Sequence, residues 1–264
     1  MTRIGALVSK EFLDLSRNRG ALLPVALIVL MSLALPLFVV IVIPDLTGHA
    51  LSEDAGLGHI ASATGAGDEL TPEGQIQFFM LQQFLMLFLL TPITGAMALA
   101  AHSVVGEKQA RTLEPLLATP ISTIELLVAK VIGALVPTFL ITVAGVAIYA
   151  FGIAVMAAPG VARAMATPRS FLLTLFVAPA AALVSLQAAI VISSRVNDPR
   201  TAQQFGVLII IPLTALLVAQ FTGSLWMTSS MLALVGVMLL GIWAALVAVS
   251  ARLFERESIL TRWR

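Results

Sequence analysis

Six stretches of this chain carry no acidic or basic side chain over lengths that meet or approach the thickness of a bilayer, and no other feature constrains its fold as strongly. They run from Ala21 to Ile43, Phe78 to Ala101, Val131 to Met156, Phe171 to Ile192, Phe205 to Phe221 and Ser230 to Ala251. A hydrocarbon core about 30 Å thick takes about 20 apolar residues per helix. It also offers no water to an open backbone, so each run is read as a spanning helix. All 15 Lys and Arg and all 14 Asp and Glu lie outside these runs. With a mean hydropathy of +1.02, the 264 residues define an all-α integral membrane protein with one transmembrane domain, residues 1–264. The stretch from Thr201 to Ala251 is too long for one helix, and the polar break FTGSLWMTSS inside it marks a turn. A span followed by a re-entrant segment is the alternative there.

Orientation follows from Lys and Arg, which are retained on the cytoplasmic side. One set of connections holds Arg3, Lys10, Arg17, Arg19, Lys108, Arg111, Lys130, Arg195, Arg200, Arg252, Arg256, Arg262 and Arg264; the other holds only Arg163 and Arg169. Both termini are therefore expected in the cytoplasm, which requires an even number of spans and supports six. The loop 44–77 carries Asp45, Glu53, Asp54, Asp68, Glu69 and Glu73 without a single Lys or Arg, as expected of a translocated segment. The first apolar run is too long for a cleaved signal peptide and reads as a signal anchor.

Residues 1–20 place Ile4, Leu7, Val8, Phe12 and Leu15 at helical spacing on one face, with Lys10, Asp14 and Arg17 elsewhere. This pattern predicts an amphipathic interfacial helix that ends at Gly20. Pro36, Pro92, Pro137, Pro179 and Pro212 fall inside five of the runs, each removing one backbone donor and favouring a kink.

Several chemistries are excluded. The chain has no cysteine, which removes disulfides, thiolate catalysis and Cys-ligated metal. It has no GxxxxGK[ST] phosphate loop, no HExxH pair and no GxSxG elbow, so any ATP and its Mg must be handled by another chain and no cofactor is expected on this one. Nothing in the charge pattern points to nucleic acid. His49 and Glu53 have the i, i+4 spacing of a metal pair, but Gly, Ser and Ala around them favour a solvated loop, as they do for His59, so no metal site is assigned. Uncharged spans disfavour a proton relay. Gln82, Gln83, Thr91, Thr94 and Gln187 are polar groups within spans, which either line a pathway or bond between helices.

The segment 106–130, GEKQARTLEPLLATPISTIELLVAK, is the most structured polar interruption. Thr112 can cap a short helix with Pro115 in its first turn and Leu113, Leu116 and Leu117 as its apolar stripe, ending before Pro120. Ser122 and Glu125 have the spacing of a capping box, with Ile121 and Leu126 as its hydrophobic staple, and this second helix runs into the third span. Glu107, Lys108, Arg111 and Glu114 are left to meet a partner.

In these residues the chain resembles the loop between the second and third spans of type-2 ABC transporter permeases. That family shows a glutamate-rich start, a Thr-Leu-Glu core, a Thr-Pro turn and a Glu-Leu-Leu entry to the next span. The resemblance covers nearly the whole chain. It implies a transmembrane subunit of an ATP-driven exporter in a prokaryotic plasma (inner) membrane, with the translocation route between two protomers, either a homodimer or a heterodimer. It implies that 106–130 is similar to a coupling helix seated in a cytoplasmic ABC ATPase through Glu107, Lys108, Arg111, Thr112, Leu113, Glu114, Leu116 and Leu117, with the N-terminal helix similar to a connecting helix beside it. A secondary transporter or channel, and a membrane scaffold without transport, are the rival readings.

Overall fold

A computed structural model describes residues 3–17, 19–53, 56–57, 70–109, 122–193 and 227–253, with isolated positions between 196 and 219. The described residues are helical with no strand. Helix α1 (Arg3–Arg17) precedes α2 (Arg19–Leu37), which continues through a π-helical turn (Phe38–Val42) into α3 (Ile43–Thr47). The next four are α4 (Pro72–Leu87), α5 (Leu90–Gln109), α6 (Thr123–Met156) and α7 (Val161–Met165). After α8 (Pro168–Leu172) a second π-helical turn (Leu173–Val177) leads into α9 (Ala178–Ser193), and α10 (Ser229–Leu253) is last. Among the described residues five assemblies are long and apolar enough to cross a membrane: Val25–Thr47, Pro72–Glu107, Val128–Met156, Pro168–Ser193 and Ser229–Ala251. The expected span at Phe205 to Phe221 falls mostly outside the described residues.

The boundaries differ from the sequence expectation in two places, each for a local reason. Gly20 lies inside α2, so the interruption after α1 falls before it. The loop 44–77 is shorter than expected at both ends. Pro44 lies in α3, which carries the first span past Ile43, and Gly48 ends that helix in the left-handed region at φ 71°. At the far end the Thr71 side chain accepts from Gly74 N at 3.1 Å, starting α4 six residues ahead of Phe78.

Proline explains where the spans depart from regular helix. Pro92 cannot bond the Phe88 carbonyl, and the α4–α5 rod breaks at Phe88 and Leu89. The π-helical turn at Phe38–Val42 contains Val40, four residues before Pro44, and that at Leu173–Val177 contains Leu175, four residues before Pro179, so in each a proline withholds the usual α-helical donor. Pro137 is absorbed without interrupting α6.

The span Pro72–Glu107 is the centre of the bundle: 83% of its apolar stretch is buried, against 11% for Ser229–Ala251. Its most extensive packing is between α5 and α9, while α10 packs on α9, and α2 and α6 flank α5. Around α5 the core is built largely from Ala96, Ala98, Ala100, Ala134, Ala182 and Ala189, whose small side chains let helices approach closely where lipid supplies no hydrophobic drive. Around α4 it is built from larger groups, including Leu81, Leu85, Phe88, Tyr149, Ile153 and Leu173. Outward-facing Leu30, Leu140, Phe151, Leu175, Leu234 and Val237 present the apolar surface a bilayer requires.

One close approach fixes the register between the two core halves. A Cβ on Gly145 would meet Phe88 Cζ at 2.8 Å, so the phenyl ring at the α4–α5 break sits directly on this glycine of α6. Gly145→Leu is expected to displace that ring and destabilise the chain by about 1–3 kcal/mol, the range for overpacking, read as a lower denaturant midpoint in mixed micelles.

Candidate functional site

Lys130, about two turns into the third span's helix, is only 1% exposed and is the largest fully buried side chain among the described residues. A buried ammonium is tolerated only when its protons are all engaged. Here it donates to Ser103 Oγ at 2.9 Å, Glu11 Oε1 at 3.1 Å and the Ser103 carbonyl at 3.4 Å, and it forms an ion pair with Glu107 Oε2 at 2.7 Å. The Ser103 hydroxyl in turn donates to Glu11 Oε2 at 2.6 Å. Lys10 pairs with Glu107 and lies 3.6 Å from Asp14 on its own helix. Two lysines and the two carboxylates Glu11 and Glu107 thus balance within one cluster drawn from α1, α5 and α6.

Sequence and packing both explain why it forms. Glu11 occupies the stripe Leu7–Glu11 of α1, four residues apart on one face, and this stripe turns toward α6. A Cβ on Gly133 would lie 2.6 Å from Glu11 Cβ, so the absence of a side chain there brings α1 down onto α6 one turn beyond Lys130. Gly133→Val is therefore expected to pry α1 off α6, checked as increased solvent labelling of a cysteine placed at Leu7, which is 8% exposed.

Burial opposes the charge of Lys10. The Glu107 carboxylate bonded to it, with Glu11 and Asp14 nearby, outweighs that and holds the ammonium above the ordinary lysine value of 10.5. A raised lysine contributes stability that is complete below the unfolded value and lost as pH rises through the folded one. The contribution of Lys10 is thus expected to be flat through neutral pH and to vanish only above pH 10.5. Comparing pH-dependent melting of the native chain with Lys10→Met checks this.

The capping box is present: Ser122 N donates to Glu125 Oε2 at 2.7 Å, and Glu125 N to Ser122 Oγ at 3.2 Å. From it α6 runs unbroken for 34 residues, about 51 Å at 1.5 Å per residue. Glu107 is 7% exposed and turned into the cluster, a correction to the expectation that it stands outward for a partner: its carboxylate has cationic partners inside the protein. Lys108 lies in α5. Arg111, Thr112, Leu113, Glu114, Leu116 and Leu117 lie outside the described residues.

The polar groups within spans divide. Thr91 Oγ1 donates to Ser32 Oγ at 3.1 Å, Arg169 donates to Gln82 Oε1 at 3.1 Å, and Gln187 Nε2 donates to Ser250 Oγ at 2.5 Å, all joining helices. Thr94 Oγ1 turns back onto the Leu90 carbonyl at 2.6 Å. Gln83 is fully buried, and neither side-chain amide atom has a hydrogen-bond partner among the described residues. His49 Nδ1 lies 3.2 Å from Glu53 Oε2, both exposed, and no group of three metal-ligating side chains occurs among the described residues.

Glu11, Ser103 and Lys130 were not singled out by sequence reasoning. The available signal was a carboxylate inside the apolar stripe of an amphipathic helix, together with a lysine adjoining an uncharged run.

A helical bundle with an apolar exterior, a buried charge cluster at one end and a polar segment rising into a continuous span defines a multi-pass membrane protein. Comparison with curated proteins yields no match. The sequence matches the family described as ABC-2 family transporter protein over residues 6–253. The chain belongs to that family, as the membrane permease of an ABC transporter.

Proposed function

We propose that this chain is the membrane subunit of an exporter powered by a separate cytoplasmic ABC ATPase, which docks on the segment 106–130. The observation that carries this reading is the rod α6. It begins at the Ser122 cap within that segment and continues through the membrane, so a displacement applied at the segment is delivered into the third span. The missing phosphate loop assigns nucleotide hydrolysis to the partner, with its ATP and Mg.

In this reading six spans place both termini in the cytoplasm of a prokaryote, α1 lies at the interface, and two protomers in the lipid bilayer enclose the route. Arg111, Thr112, Leu113, Glu114, Leu116 and Leu117 meet the ATPase, with Lys108 at their edge. The purified chain alone is expected to hydrolyse no nucleotide, and hydrolysis surviving removal of every co-purifying protein refutes the assignment. A tag at either terminus is expected to be reachable only from the cytoplasm, and one near Gly56 only from outside.

Gln83 is the pathway residue this reading favours, because its amide has no partner among the described residues to justify its burial. Such a group costs about 1–3 kcal/mol. Gln83→Leu is therefore expected to raise the melting temperature while lowering permease-dependent stimulation of the ATPase. A variant that is more stable and fully active removes Gln83 from the pathway.

A further inference from the structure

The described ends of the 106–130 segment are held by the same side chain. Glu107 stands at its start on α5 and Lys130 at its finish on α6, joined at 2.7 Å, and Glu11 at 3.1 Å adds α1 to the joint. We infer that Lys130 is a positioning residue for ATPase coupling: it clamps the two roots of the segment and pins α1 to them, so that all three move as one rigid block. The inference rests on the proposed coupling role and assigns to it residues outside the docking surface itself.

Three features argue for a fixed brace over a latch that opens in each cycle. The ammonium's three protons are met by Ser103 Oγ, Glu11 Oε1 and the Ser103 carbonyl, with the Glu107 carboxylate in ion-pair contact at 2.7 Å, so no donor is left over for an alternative partner. Ser103 is bonded both to Lys130 and to Glu11, and linked polar groups of this kind reinforce one another in a low-dielectric setting. The contact at Gly133 leaves no room for a side chain between α1 and α6, so the charges close over a packed surface. An arginine does not replace this lysine, since its planar fork cannot direct donors to three acceptors spread around a point charge.

A rigid block has a mechanical consequence. Force arriving between residues 107 and 130 cannot be lost by spreading the two helices apart. It passes jointly into α5 and α6. The nearest place for α5 to yield is the break at Phe88 and Leu89, four residues before Pro92, where the Phe88 carbonyl accepts from Thr91 N at 3.0 Å in a tighter turn.

The absence of native cysteine makes the test direct. Gly106 is exposed with nothing within 4 Å of an added Cβ, and Val128 is 37% exposed, so both accept a spin label without touching the cluster. Gly106→Cys and Val128→Cys in the full chain, labelled in lipid nanodiscs and measured by pulsed electron resonance, are expected to give one narrow distance distribution. Lys130→Met and Lys130→Arg are each expected to broaden it at least twofold and to lower stimulation of a co-purified ATPase about tenfold, with binding of that ATPase retained. Glu11→Gln, a volume-conserving change that leaves Lys130 and Glu107 paired, is expected to give the same effects at smaller amplitude if the Lys130 variants fail to insert. Unchanged distributions overturn the brace whatever the ATPase does. Broadened distributions with undiminished stimulation overturn the positioning role. A native chain that binds no ATPase refutes the proposed function instead, while the distance measurement still decides whether the brace exists.

Discussion

Replacing Leu116 and Leu117 together with Asp is expected to abolish retention of the ATPase while leaving a normally inserted permease. Buried apolar anchors at protein interfaces carry about 2 kcal/mol or more each, so losing both costs about 4 kcal/mol, near a thousandfold in affinity. Neither residue lies in an apolar span, so insertion has no reason to fail. The control must be a leucine whose loss disturbs nothing else. Leu51 and Leu57 do not qualify, because they pack against the buried Ile76 and Phe79. Leu46, 76% exposed at the opposite end of the first span, does. Leu46→Asp is expected to leave ATPase association unchanged, measured by co-purification from detergent. Association at native levels in the Leu116 and Leu117 variant shows that the segment is an ordinary connection.

Lys130→Met is expected to be the most destabilising single change in the described residues. It leaves Glu11 and Glu107 buried together with only Lys10 to offset them, and breaking a buried ion pair costs about 3–5 kcal/mol. The loss should show as a lower unfolding midpoint in a denaturant titration. Adding Glu107→Leu restores charge balance between Lys10 and Glu11, so the double variant is expected to lose about 2 kcal/mol less than the sum of the two single losses. Strict additivity means that Glu107 and Lys130 do not sense one another. That outcome contradicts the 2.7 Å contact between them.

The membrane class and the placement of apolar helices were legible from the residues alone, because the bilayer imposes a length and an absence of charge that any spanning helix must satisfy. Pro92 likewise announces the break at Phe88, since the missing donor is a property of one residue and its partner is fixed four positions earlier. The capping box at Ser122 and Glu125 was readable for the same reason: both partners lie within one helical turn. Where polar groups bond across helices, the sequence left alternatives open. Thr91 and Ser32 are 59 positions apart, and Gln187 and Ser250 are 63 apart. Only their juxtaposition separates interhelical bonding from a group such as Gln83 that has no partner among the described residues.

The charge cluster marks the limit most sharply. Glu107 has the composition and spacing of an outward contact, and local rules give no reason to turn it inward. Its orientation depends on Lys130, 23 residues later, and on Lys10, 97 residues earlier. Lys10 reaches it because Gly133 lets α1 lie against α6. Periodicity, caps and hydropathy report forces that act within a turn or across a bilayer, and these the sequence determined. Which charges neutralise one another is set by helix packing, and that was decided by the tertiary structure alone.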